Sequence, residues 1–223
     1  KQWGWIGYEI YSQSLALNLK SDCTKLVQLK MKADECQGIW ERTKECIRLT
    51  IDYLKTLGAQ HISILPYANI IPIIQYYLYK GNYKTIQPQH RQLIEDWFWT
   101  VTFSKRYSSS TLTRMNEDIK WIDNLLAGEQ TPRIYSINLR AEDLRWVRMN
   151  NASVIKNGIL CLMARNHPLD FDNGQPVALD KTNASRSNSK ENHHFFPFSQ
   201  RGVFGVTMAD INSVLNFAFI TKH

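Results

Sequence analysis

Apolar positions recur at helical spacing through most of this chain, and the pattern changes character once, at Asn166. From Glu41 onward Ile47, Thr50 or Ile51, Leu54 and Leu57 fall on one face of a helix, and Gly58 can supply the left-handed residue that ends it. Ser63 to Tyr79 is apolar nearly throughout, which predicts a central helix buried on all sides. Within it Pro66 suits a first helical turn, whereas Pro72 should interrupt or kink the helix. After Pro88 a further helix carries Leu93, Ile94, Trp97 and Phe98. Phe103 to Ser110 is a polar joint whose serines can cap the next helix, which Ile119, Ile122 and Leu126 mark and Gly128 closes. Pro132 opens a linker, and Leu144 with Val147, then Ile155, Ile159, Leu160 and Met163, predict two more helices. Before all of these, Trp3, Trp5, Ile6, Tyr8 and Ile10 read as a strand or an extended lead-in, and Leu15 to Leu29 has mixed periodicity. The pattern thus divides into a lead-in of unclear structure (1–40), a helical domain (41–165) and a segment of different character (166–223).

That last segment is turn-rich from His167 to Pro176, with Asp170 and Asp172 in turn-forming positions. It is polar from Asn183 to Asn192, then runs through His193-His-Phe-Phe-Pro197 and Ile211-Asn-Ser-Val-Leu-Asn-Phe-Ala-Phe-Ile220. Adjacent histidines on a strand point to opposite faces, so the pair serves one site only if a twist or bulge brings the two rings together. An Asn in an apolar strand must find hydrogen-bond partners and can fix the loop joining it to the His strand. Such a His strand, loop and Asn strand form two of the three parts of a ββα-metal nuclease site. The third part, a His or Asn on the following helix, would lie beyond His223. A chain that begins at Lys1 and stops at His223 directly after an apolar run has the look of a piece of a longer protein.

Composition changes the picture in a few respects. Over 223 residues, 43% hydrophobic and 21% charged residues are ordinary for a globular protein, and seven Trp and ten Tyr supply a well-filled core. A net charge of +7 makes nucleic acid a plausible partner. The four cysteines form no C-x-x-C pair, which excludes zinc-ribbon spacing and fits reduced thiols in a cytoplasm. No secretory leader is seen, and no run approaches the ~20 apolar residues needed to cross a bilayer, so a membrane partner is not expected.

Taken together, these segments resemble the C-terminal region of GmrSD-type restriction proteins, whose HNH nuclease motif usually reads His-His-Ile-Phe-Pro and then Ile-Asn-Ser-Ile-Ala-Asn. Leu65-Pro-Tyr-Ala-Asn-Ile-Ile-Pro72 is similar to that family's Leu-Pro-Tyr segment. Trp97-Phe-Trp99, Phe103-Ser-Lys-Arg-Tyr-Ser-Ser-Ser110 and Asp118 are similar to its next signature. The resemblance covers about Glu41 to His223, with Phe195 a conservative departure. It implies an α+β chain: a mainly α-helical domain followed by an incomplete ββα-metal HNH unit, truncated before its last helix. It further implies that His194 is the general base, His193 the ligand of a divalent metal (Mg²⁺ or Mn²⁺), Asn216 the residue holding the metal loop, and Asn212 a structural support. Lys181, Arg186, Lys190 and Arg201 flank the His pair and could meet a DNA backbone. The family also usually carries an N-terminal ParB-like nucleotide-hydrolysing domain. Its Asp-Gly-Gln-Gln-Arg type motif is absent here, as is any Gly-rich phosphate loop. The expected function is DNA phosphodiester hydrolysis in restriction or phage defence, with the fragment alone inactive or nearly so. The alternatives are a non-catalytic DNA- or protein-binding module with a degenerate HNH fold, and a helical scaffold with an incidental His pair. His61, His90 and His167 read as structural, and Arg106-Tyr107-Ser108 as a helix junction with a buried Tyr and a packed Arg.

Overall fold

A computed structural model describes residues 6–149, 153–170, 174–177 and 194–218. Its chain folds as two compact units, one within residues 6–54 and 67–136, the other within 55–66 and from 137 onward. Among the described residues the structure is mainly helical, and β-pairing is confined to three isolated antiparallel bridges. No pair of strands followed by a helix is present among them.

The first unit begins with α1 (Tyr8–Lys20), α2 (Lys25–Lys30) and α3 (Ala33–Thr56). The lead-in expected to be extended is therefore helical from Tyr8, because Leu15, Ala16 and Leu17 form a buried stripe that packs on α4 (Ile70–Lys80). Tertiary burial, rather than a clean amphipathic period, decides this helix. α4 is the centre of the unit: Ile70, Ile71, Ile73, Ile74, Tyr76, Tyr77 and Leu78 are almost completely buried. At about 1.5–3 kcal/mol per buried aliphatic side chain, it is the largest single contributor to the core. Pro72 does not interrupt it, contrary to expectation. It is the third residue of the helix, where the backbone N–H groups have no intrahelical acceptor, so a missing N–H costs nothing. Pro66 lies before the helix rather than in its first turn.

Several polar side chains inside this core pair with one another. Gln75 and Asn18 exchange two amide hydrogen bonds of 3.2 Å each, and Asn18 Nδ2 also donates to Thr43 Oγ1. Tyr76 donates to Asp123 Oδ1 at 2.7 Å. α5 (Pro88–Phe103), started by its proline, and α6 (Thr111–Leu126) complete the unit with Trp97, Phe98, Val101, Ile119, Ile122 and Leu125 in the core.

In the second unit, Gly58 ends the α3 helix with φ +90°, the left-handed conformation its sequence position suggests. A Cβ at Gly58 would stand 1.9 Å from the Cys161 carbonyl oxygen on α8 (Val154–Arg165), so the bare backbone permits this packing. α8 is capped by Ser153, and its Asn157 amide donates to the Ser63 and Leu65 carbonyls. The α7 turn (Ala141–Leu144) stops before Val147, which enters an extended segment instead. Ile64, Met149, Leu160, Val177, Val214 and Phe217 form the core of this unit.

Candidate functional site

Three short segments of the second unit meet around residues 211–217. On one side, the Val214 N–H donates to the Val147 carbonyl at 2.7 Å and the Met149 N–H to the Asn212 carbonyl at 2.9 Å, an antiparallel bridge centred on Arg148 and Ser213. On the other, His194 bridges Phe217, and the Phe195 N–H donates to the Asn216 carbonyl at 3.0 Å. The His-containing and Asn-containing segments are thus brought side by side. The expected continuous strand from Asn212 is absent over the described part. Met208–Ile211 is a single helical turn and Val214–Asn216 a 3₁₀ turn. The Thr207 and Asp210 capping box starts that local helix by satisfying backbone donors, which competes with an extended chain.

Asn216 is the fixing residue. Its Oδ1 accepts from the Phe196 N–H at 2.8 Å, and its Nδ2 donates to the carbonyls of Phe196 and Ile211 at 3.0 Å each. All three bonds are made in a buried position, where an unmet amide would cost about 1–3 kcal/mol. The segment directly after His194 is therefore held by a side chain twenty residues away. His194 itself is half-buried, with Nε2 shielded from solvent. Asn212 donates from Nδ2 to the Met208 carbonyl, steadying the turn before Asn216. Arg201 is exposed, its guanidinium 5.0 Å from the Phe198 ring centroid. His193, Lys181, Arg186, Lys190 and Asp172 lie outside the described residues.

Among the described residues, no group of three or more His, Cys, Asp or Glu side chains could hold a metal ion. The described donors at this site are already engaged: Asn216 by the loop, and Asp210 by Arg145 and Thr207. They do not make a metal cage by themselves.

Sequence reasoning missed a cleft of about 400 Å³ beside Asn216, lined among others by Phe196, Val206, Ile211 and Leu215. Arg145 and Asp210 line it too, with Arg145 Nε 2.5 Å from Asp210 Oδ1. Hydrogen bonds from Arg145 and then Thr207 hold the Asp210 carboxyl well below the usual carboxylate range. The Thr207-x-x-Asp210 spacing is the sequence signal that could have marked this turn.

The first unit holds a separate polar cluster. Asp118, fully buried, accepts from Arg106 through Nε at 3.0 Å and Nη2 at 3.1 Å, from Tyr107 at 2.7 Å, from Arg133 at 3.3 Å and from Tyr135. The Arg106 guanidinium lies 4.0 Å from the Tyr135 ring centroid. Burial, and then the Asp118 charge, push the Tyr107 hydroxyl far above its ordinary value. This is a helix junction with a buried Tyr and a packed Arg; Arg133 and Tyr135, from the supposed linker, complete it. His61 caps the turn at Ser63, and His90 pairs with the Tyr77 hydroxyl at 2.8 Å, so both serve structure. Asp170 is buried and its backbone closes a turn with Gly174 and Gln175. No helix among the described residues is long and apolar enough to cross a membrane.

Comparison with known proteins places little around this geometry. No protein-family model matches the chain, and no solved structure matches it. A protein of Methanocaldococcus jannaschii, described as uncharacterized protein MJ0686, is 32% identical over 133 residues, which is 55% of this chain and 21% of that relative. The chain therefore spans about a fifth of the length of the relative it matches.

Proposed function

We propose that this chain carries the His and Asn elements of a metal-dependent HNH endonuclease that hydrolyses DNA phosphodiester bonds, with a role in restriction of foreign DNA. The observation that carries the reading is the grip of Asn216 on the segment following His194. It matches the division of labour expected of such a site, in which an Asn fixes the loop so that a His is presented to the scissile phosphate. The sequence resemblance across the helical region and both motif segments supports it further.

In this reading His194 takes the proton from the attacking water while the phosphodiester is held against it. Asn216 is a positioning residue, and Asn212 supports the turn before it. His193 would hold a divalent ion, Mg²⁺ or Mn²⁺, which when bound supplies charge stabilisation at the phosphate and leaving oxygen. Arg201 and the lysines and arginines at 181, 186 and 190 would meet the DNA backbone. A ParB-like nucleotide-hydrolysing domain would be the partner within a full-length protein.

The test is plasmid cleavage with Mg²⁺ or Mn²⁺ by the full-length protein and its His194→Ala variant. Cleavage by the parent alone, with the variant folded, is the expected result. Equal cleavage by both removes His194 from the chemistry.

A further inference from the structure

The second unit exposes aromatic rings where a monomeric protein would normally bury them. Trp146 is 62% exposed, Phe195 58% and Phe198 50%. Two of these rings carry an arginine: Arg145 lies 5.9 Å from the Trp146 centroid, and Arg201 5.0 Å from that of Phe198. They sit on segments that the backbone ties together, since residues 147–149 pair with 212–214 and residues 194–195 pair with 216–217. Residues next to these rings, Arg145 and Phe196, line the cleft of about 400 Å³, together with Asp210, Ile211 and Leu215. Arg148 and Arg201 are exposed on the same segments.

Flat exposed rings paired with guanidinium groups suit one partner chemistry above others. An unpaired nucleobase offers a π-face to stack, and its phosphates offer charge to the arginines. A largely apolar cleft adds a pocket for a single base. A base inside a duplex has its faces covered by its neighbours and cannot use any of this.

We propose that this face binds nucleic acid with unpaired bases, stacking them on Trp146 and Phe198 and seating one in the cleft beside Asn216, so that the site engages single-stranded or base-extruded DNA. The inference rests on the nucleic-acid substrate of the function proposed above, but not on its hydrolytic step.

The experiment is fluorescence anisotropy of the chain with a labelled single strand of mixed sequence, about twenty nucleotides long, and with the corresponding duplex, in the absence of divalent metal, at two salt concentrations. Tighter binding of the single strand, by about tenfold, is expected, with Trp146→Ala and Phe198→Ala each removing about tenfold of it. Both side chains are largely exposed, and thermal melting confirms that each variant is folded. Equal or tighter binding of the duplex overturns the proposal, as does single-strand binding that neither variant weakens. Leaving out the divalent metal separates the two readings, because binding is then read without hydrolysis. If cleavage by the parent is never seen while this binding holds, the hydrolytic reading fails and the stacking face stands.

Discussion

Asp118→Asn offers a sharp test of how the first unit is held together. The carboxylate is fully buried and receives five donated hydrogen bonds, from two arginines and two tyrosines. Both of its oxygens accept. An amide keeps one acceptor and puts an N–H₂ in place of the other, and because Arg106 bonds both oxygens and can only donate, one of its N–H groups is left facing a donor. The change also leaves the Arg106 guanidinium, only 10% exposed, without its buried counter-charge. Breaking one partner of a buried ion pair costs about 3–5 kcal/mol, a large part of the ~5–15 kcal/mol that holds a typical domain. Glu117→Gln is the control. Glu117 Oε2 is 2.6 Å from Arg106 Nη2 but is half exposed, and solvent screening limits its worth to about 1 kcal/mol or less. Urea unfolding followed by far-ultraviolet circular dichroism reads both, with the two units fitted as separate transitions. The reasoning is refuted if Asp118→Asn loses less than about 1 kcal/mol, or no more than Glu117→Gln.

Four other outcomes are expected. Gly58→Ala should lose about 2–5 kcal/mol in the same unfolding assay, combining a left-handed backbone with a Cβ forced onto the Cys161 carbonyl; a loss below about 1 kcal/mol would mean the backbone at Gly58 moves aside easily. Asn216→Ala should abolish DNA cleavage in the full-length protein, and Asn216→Asp should not restore it, because a carboxylate cannot donate to the Phe196 and Ile211 carbonyls; rescue by Asp would shift the role to charge. Burial lowers His90 below its ordinary 6.5, so the unfolded chain takes up a proton the folded one refuses. Stability is then complete above about pH 6.5 and falls as pH drops from there toward the lower folded value, by up to ~1.4 kcal/mol per pH unit, and His90→Gln should remove that share of the slope in pH-dependent urea melts. Native thiol titration near pH 8 should show Cys36 reacting first. Cys23 is pushed up to about 12 and Cys46 to about 11 by burial, Cys161 is buried as well, and all four should react after denaturation.

Legibility followed how local the physical cause was. The central helix at 70–80 can be read because its apolar residues outnumber one face, which leaves burial as the only stable outcome. The end of α3 at Gly58 can be read because a left-handed residue after a periodic run has few other uses. α1 cannot, since its helix depends on packing against α4, a partner about fifty residues on, and its own period is mixed. Pro72 turns on a single positional fact: a proline in the first turn of a helix and one further along it have opposite consequences, and no residue marks the exact start.

The candidate site divides along the same line. That an Asn in an apolar run must satisfy its amide is a local inference, and it leads to the residue that grips the segment after His194. Where that amide spends its bonds depends on which segment lies alongside, and only the fold reveals that the partners are Phe196 and Ile211. Arg133, Tyr135, Arg145 and Asp210 stay hidden in the sequence for the same reason. Each is an ordinary polar residue in a polar stretch until a distant carboxylate or guanidinium is brought to it. The exposed rings at 146, 195 and 198 are the inverse case, since an aromatic in sequence reads as core. Trp146 lies in the turn after α7 and Phe198 opens a 3₁₀ turn, so neither follows the alternation of an extended strand, and only the fold reveals that they face outward.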